Sequence, residues 1–424
     1  LVQCEEELHA IKHELRQAIQ RQMWQRGWKK TDLAQAANLY PSDLSNFMNG
    51  SGTRTFPLDA LDAITEAFGL PPGHFYPLYF GECYSKGKLV RHRCEEFLYR
   101  CALLQFTPFV ERIIAALLAE SKSHLQTVYT VAKRLFDERK TEEALPLIET
   151  VIEHEANRFS QRLSSCYFYR FFIVRNKGME QGYHALVQML EYLVYMPLDI
   201  QLEAYLRIIT FYFAQEDWKL VLEYAKRLEE VAQEGTYYGE ALLYQSIALS
   251  ETGRFEEALQ LTDRYAGVSD YFADLAVGNR LFIHIKAGKT QYIDDLIAHL
   301  EANDMMYLGL PIILVAYLKA GQLSEARHFL DRFRHAAEQL KNETNPHFAK
   351  LLLDFSYHHA SLLFATGQIA HAVDEILEAI RLADKLGNME RFKDSLRLFW
   401  QYHEHTSPDQ KAKFYSLLRR SDGS

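Results

Sequence analysis

Three segments of this 424-residue chain share one pattern: a glycine, a hydrophobic residue two places on, and an alanine five places on. They are Gly253-Arg-Phe255-Glu-Glu-Ala258, Gly321-Gln-Leu323-Ser-Glu-Ala326 and Gly367-Gln-Ile369-Ala-His-Ala372, each lying between two amphipathic stretches of helical period. Weaker copies start at Arg139, Gly178, Glu216 and Gly288, so successive starts differ by 39, 38, 37, 35, 33 and 46 residues. Such a period means helical hairpins stacked side by side, because one hairpin cannot bury its apolar face alone while a row of them buries a continuous core. The expected fold is therefore all-α, with the repeats stacked into an α-solenoid. Scarce proline (11) and glycine (20) agree with a helical chain. The wide last interval is expected to hold extended helices interrupted at "KNETNPHF", with a capping helix over 410–420 closing the apolar end.

The first 75 residues follow a different pattern. Leu8, Ile11, Leu15, Ala18, Ile19 and Met23 recur at helical spacing over 5–24, and Gly27 ends that helix. In "KKTDLAQAANLYPSDLSNFMNG", Thr31 is the expected N-cap of a short helix over 32–37. Asn38 suits a left-handed turn, and Pro41 opens a second short helix running to about Met48. Leu44 and Phe47 are expected to point inward, and Ser42, Asp43, Ser45, Asn46 and Asn49 outward. A further helix covers 58–68, with Leu58, Leu61, Ile64 and Phe68 on one face.

Leu33-Ala34, Leu39, Leu44-Ser45, Gly50 and the closing "LDAITEAFGL" resemble the Cro/repressor-like (XRE) helix-turn-helix family. The resemblance implies that 42–49 is a recognition helix entering the major groove and that Thr31 sits on phosphate. Pro41 stands where that family often has a base-reading Gln, and Asp43 is acidic, which leaves base readout to Ser42, Ser45 and Asn46. Net charge over the whole chain is −9, yet 12–54 carries Lys12, Arg16, Arg21, Arg26, Lys29, Lys30 and Arg54 against Glu14, Asp32 and Asp43. That local excess of four is the expected phosphate-facing surface. The DNA contacts read from the sequence are thus Lys29, Lys30, Thr31, Ser42, Asp43, Ser45, Asn46, Asn49 and Arg54.

Residues 76–104 read as a linker and connecting helix, with Lys86, Lys88, Arg91 and Arg93 either solvated or touching phosphate. The span 105–424 reads as the repeat domain with its cap, and it looks like a tetratricopeptide (TPR) array of about seven degenerate repeats. Counting nine residues back from each turn, by that resemblance, marks Tyr169, Arg207, Tyr244, Asn279, Ile312 and His358 as concave-facing. Of these Tyr169, Arg207, Tyr244, Asn279 and His358 can hydrogen-bond a peptide.

An XRE-type reader joined to a TPR array resembles the peptide-pheromone-responsive regulators of the Rap/Rgg/NprR/PlcR/PrgX group. That resemblance implies a cytoplasmic homodimeric transcription regulator whose array binds a short signalling peptide (quorum sensing) and thereby alters operator binding. The alternatives are a TPR protein that binds or dephosphorylates a response regulator, and a protein-interaction scaffold. No H-E-x-x-H, G-x-S-x-G, Gly-rich phosphate loop or paired-carboxylate motif suggests an enzyme or a cofactor. The 17 histidines are scattered, which suggests no metal site. Cys4, Cys83, Cys94, Cys101 and Cys166 form no C-x-x-C pair, which favours buried thiols in a reducing compartment, with Cys94 and Cys101 close enough in sequence for a redox pair. No apolar run is long enough to span a membrane, and the acidic start Cys4 to Glu7 is unlike a signal peptide.

Overall fold

A helix that must reverse direction tightly ends best on a residue in the left-handed conformation, whose following N–H reaches back to the last turn. The repeat glycines do this. Gly253, Gly288, Gly321 and Gly367 have φ of +80°, +84°, +72° and +77°. The next N–H donates five residues back in each case, as from Arg254 to Leu249 O (2.8 Å) and Gln368 to Leu363 O (2.9 Å). Arg139 (φ +63°) and Glu216 (φ +60°) adopt the same turn without glycine, with Lys140 N–H on Leu135 O and Asp217 N–H on Tyr212 O. The degenerate copies at Arg139 and Glu216 thus make the same turn as the clear ones, whereas Gly178 is not left-handed. Ala144, Ala258, Ala326 and Ala372 are all fully buried, because paired helices cross closely there.

The computed structural model describes residues 2–49, 55–85, 87–175, 177–343 and 348–419, with side chains from Lys12 onward. Five helices open the chain: α1 (Val2–Gln25), α2 (Lys30–Ala36), α3 (Pro41–Met48), α4 (Leu58–Ala67) and α5 (Tyr76–Tyr79). A 3-10 turn (Phe80–Cys83) leads into a small antiparallel ribbon, β1 (Tyr84–Ser85) against β2 (Lys88–Leu89), with Tyr84 opposite Leu89. Next come α6 (Arg91–Leu103), α7 (Thr107–Glu120), α8 (Leu125–Asp137), α9 (Thr141–His154), α10 (Gln161–Val174) and α11 (Met179–Leu190). The later array holds α12 (Leu198–Ala214), α13 (Trp218–Ala232), α14 (Gly235–Glu251), α15 (Phe255–Ala266), α16 (Asp270–Lys286), α17 (Ile293–Ala302), α18 (Met306–Lys319) and α19 (Leu323–Arg332). It ends with α20 (Arg334–Asn342), α21 (Ala349–Ala365), α22 (Ile369–Leu386), α23 (Met389–Gln401) and α24 (Pro408–Leu418). The protein is all-α in class, an N-terminal helix-turn-helix followed by a TPR-like helical array.

Compactness divides the chain elsewhere than at 75 and 105. One unit is Leu1–Val174 with Gln188–Met196, and the other is Arg175–Val187 with Pro197–Ser424. In the first, 76–104 is no passive linker: Tyr76, Tyr79, Phe80 and Cys83 are core residues, and the segment packs on α1. Arg100 of α6 pairs with Asp59 (2.7 Å) and Asp62 (3.0 Å) of α4, tying the connecting helix to the N-terminal helices. Cys83, Cys94, Cys101 and Cys166 are buried free thiols.

In the second unit the wide interval after Gly321 differs from the expectation. The helix after that turn breaks at Phe333, whose ring is buried, and α20 adds a further helix before α21. The C-terminal helix does pack on α22, and its Phe414 stacks on Phe399 of α23 at 4.1 Å.

Candidate functional site

In the N-terminal unit, α2 and α3 are joined by a turn at Asn38, whose φ is +51° and whose neighbour Leu39 donates its N–H to Ala34 O at 2.8 Å. Leu33 and Ala34 of α2 and Leu44 and Met48 of α3 are buried, so the two helices cross over a small side chain. Phe47 is only half-buried, and Met48 takes the inward position. The start of α2 corrects the sequence reading: Lys29, not Thr31, is the N-cap. The Asp32 carboxylate accepts the Lys29 N–H at 2.8 Å, which fixes the first turn two residues earlier than expected.

Ser42 and Asn46 are exposed on α3 and Asn49 at its C-cap, with Ser45 and Asp43 half-buried beside them. Lys29 and Thr31 are also exposed. Lys30 Nζ donates to Asn49 Oδ1 at 2.7 Å, and Asn49 Nδ2 donates to Ser45 Oγ at 3.3 Å. The structure therefore gathers Lys30, Asn49 and Ser45 into one chain of hydrogen bonds on the outward face. Arg54 and Gly50 lie outside the described residues. Hydroxyl and amide groups can both donate and accept, which is what base edges in the major groove require. Sequence reasoning missed Tyr40, which caps α3 and is 78% exposed. An aromatic just ahead of the helix-opening Pro41 was the available signal.

The charge count needs correction as well. Arg16 is turned inward against Glu82, and Lys12 Nζ is bound to Tyr84 O at 3.0 Å. Burial, ahead of the pull of Glu82, leaves the Lys12 ammonium below its usual pKa. Arg26 donates to Phe68 O at 2.7 Å, closing α1 onto the end of α4. Of the seven basic residues counted in sequence, three serve the fold, because a guanidinium or ammonium is also the best donor for carbonyls at helix ends.

With this geometry in view, residues 18–76 match the family model described as the Cro/C1-type HTH DNA-binding domain. The N-terminal module is a Cro/C1-type helix-turn-helix domain. No curated protein matches the chain. Among solved structures, a human IFIT1 dimer with m7Gppp-AAAA overlays 98% of this chain and 95% of that one at 13% identity and a TM-score of 0.39. Bacillus thuringiensis PlcR in complex with the peptide PapR7 and DNA overlays 77% of this chain and 97% of that one at 15% identity and a TM-score of 0.21. Both overlays are loose.

Beyond the Cro/C1-type domain, the concave-face candidates separate by environment. Tyr169 is 3% exposed and packs on Phe136, its ring 4.4 Å away, so it is a core residue of the first unit and not a contact surface. The other candidates belong to the second unit. Arg207 pairs with Glu203, which also accepts the Tyr237 hydroxyl at 2.8 Å. Burial, then the Arg207 charge, lowers Arg175 to about 10. Burial also raises the Glu240 carboxyl and the Tyr244 phenol, both within reach of the Arg207 charge.

Asn279 donates to the Tyr265 hydroxyl at 2.8 Å and lines a cavity of about 140 Å³ with Ser246, Ile247, Ser250, Phe282, Ile283 and Lys286. Ser250 Oγ is buried there without a hydrogen-bond partner. Ile312 is half-buried in the array core.

His358 sits in a cluster that the sequence did not announce. Glu216 accepts from Lys350 (2.6 Å) and Arg391 (3.3 Å), and Lys350 also binds Asp354 (2.7 Å). Burial opposes the Lys350 ammonium, but Asp354 and Glu216 outweigh it and its pKa is raised. Asp354 is likewise lowered by Lys350 and Arg391 against its burial. Burial and the Arg391 charge push His358 down to about 4, so it is neutral near pH 7. Among the described residues no group of three or more His, Cys, Asp or Glu is arranged to hold a metal, and no helix is long and apolar enough to cross a membrane.

Proposed function

We propose that this protein is a cytoplasmic, non-enzymatic transcription regulator that binds operator DNA through its Cro/C1-type domain, and whose helical array binds a short signalling peptide that alters DNA affinity. The observation that supports it most is the exposed Ser/Asn face of α3, where Lys30, Asn49 and Ser45 are hydrogen-bonded into one surface beside Lys29 and Thr31. For the peptide, the support is the polar set of the second unit: Arg207 with Glu240 and Tyr244, Asn279 beside a cavity of about 140 Å³, and His358. The reading includes a homodimer, since one short recognition helix reads few base pairs and two half-sites double the contact.

The test is to sequence genomic fragments retained by the purified protein, with and without a peptide extract from the producing culture. A defined motif whose recovery changes with extract is the expected result. Light scattering should give a mass near twice 49.3 kDa. Retention of DNA without any sequence preference would leave the scaffold reading in its place.

A further inference from the structure

The Cro/C1-type match ends at Tyr76, yet the carboxylate that holds the recognition helix comes from beyond it. Glu82, in the 3-10 turn after α5, is fully buried. Its Oε1 takes the Arg16 guanidinium at 2.7 Å, and its Oε2 accepts the Phe56 N–H at 3.2 Å. Arg16 in turn donates through Nε to Phe47 O at 2.8 Å, in the last turn of α3. On the other side, Arg93 of α6 donates to the Glu82 backbone carbonyl at 3.1 Å, and Tyr79 donates to Phe56 O at 2.9 Å. A continuous set of short contacts therefore runs from α6 through Glu82 and Arg16 to the end of α3.

We propose that the Arg16–Glu82 pair is the joint through which the segment leading into the array sets the position of the recognition helix, which makes Glu82 a positioning residue for DNA readout. The proposal rests on the reading that α3 contacts DNA. Four hydrogen bonds, counting one from Arg16 Nη1 to Lys12 O at 2.7 Å, converge on the Arg16 and Glu82 side chains, more than stability asks for, since a buried pair is commonly replaceable by apolar groups at little cost. What apolar groups cannot replace is the aim of Arg16 at Phe47 O and of Glu82 at Phe56 N–H. A shift of α6 moves Glu82, and Glu82 carries the end of α3 with it. An error of an ångström there misaligns side chains meant for base edges, while phosphate contacts, which are longer in reach and less directional, tolerate it.

The experiment uses the full chain and three readouts. Glu82→Gln keeps the shape of the side chain and removes its charge. Binding is measured to duplexes selected by the wild type from a randomised pool and to poly(dI-dC), and amide exchange is followed over 44–49. The preference for selected duplexes over poly(dI-dC) should fall about tenfold, the size of one lost base-pair match, with poly(dI-dC) affinity within about twofold of wild type. Exchange over 44–49 should quicken about tenfold. A double variant, Arg16→Met with Glu82→Leu, restores thermal stability but not the preference, which separates positioning from folding. Wild-type preference and exchange in Glu82→Gln, or in the double variant, overturn the proposal. If the wild type itself shows no preference, the DNA reading fails, and the exchange arm still decides whether Glu82 holds α3.

Discussion

A buried ion pair in the N-terminal unit and a half-buried ionic cluster in the second unit differ in what they join. In the N-terminal unit one pair, Arg16 and Glu82, lies 66 residues apart in sequence and directs its remaining polar atoms at backbone groups. In the second unit Glu216, Lys350, Asp354 and Arg391 bind side chain to side chain, linking hairpins 134 and 175 residues apart. The first arrangement fixes a helix end. The second fixes the two ends of a helical row against each other, a long-range closure that neighbour packing between repeats does not supply. Loss of the first should therefore be felt chiefly in aim and loss of the second chiefly in stability.

The largest expected effect tests the second half of that contrast. Lys350→Ala leaves Glu216 and Asp354 facing one another with Arg391 alone between them, and removing one partner of such a largely buried group costs up to about 3 to 5 kcal/mol. Urea denaturation followed by circular dichroism should show that loss. A loss below about 1 kcal/mol, the range of surface pairs, would put the cluster among exposed contacts and break the comparison.

Next in size is a pH effect at His358, whose pKa is about 4 in the fold against roughly 6.5 unfolded. As pH falls below about 6.5 the unfolded chain takes the proton first. Stability fully present above that point is lost as pH drops towards 4, by at most about 3 kcal/mol. His358→Gln should flatten stability across this window, and an unchanged slope would mean that another group carries it.

How far the sequence foretold these two regions follows from what periodicity can and cannot encode. Gly253, Gly321 and Gly367 mark turns because only backbone conformation is at stake there, and local spacing reports it. Glu216 and Arg139 take the same turn without the glycine, so they were legible only from their distance to the clear copies. The outward face of α3 was legible because Leu44 and the turn at Asn38 fix its phase. Neither ionic group was, since nothing local pairs Glu216 with Lys350 or Arg16 with Glu82. The same blindness let Arg16, Lys12 and Arg26 count towards the basic excess of a phosphate-facing segment although the fold turns them to carbonyls and carboxylates. Tyr169 misled for a related reason: a tyrosine at a concave register also fills gaps between helices, and Phe136 sits against it.

Two smaller effects sharpen the claim that the N-terminal unit is built for aim. Asn46→Ala removes an exposed amide from α3 and should cost about 1 to 3 kcal/mol on a selected operator, the range for a good base contact. Stability should change by less than about 0.5 kcal/mol, as for other exposed positions. Gel-shift titration beside thermal melting separates the two, and equal losses on selected and random DNA would remove Asn46 from base readout.

The smallest effect distinguishes two adjacent lysines. Lys29 is exposed at the cap of α2 and holds that cap through its backbone N–H on Asp32, so its ammonium is available to phosphate. Lys30 instead donates to Asn49, which donates to Ser45. Lys29→Ala should lower affinity for all duplexes alike and reduce the slope of log K against log salt by about 0.9, one phosphate contact. Lys30→Ala should also relax sequence preference, because Asn49 and Ser45 lose the group that orients them on the outward face. Titrations at several salt concentrations on selected and random duplexes separate the cases. If both lysines change only the slope, the hydrogen-bonded surface on α3 is not what aims the helix at its bases, and the Arg16–Glu82 joint is left as the source of that aim.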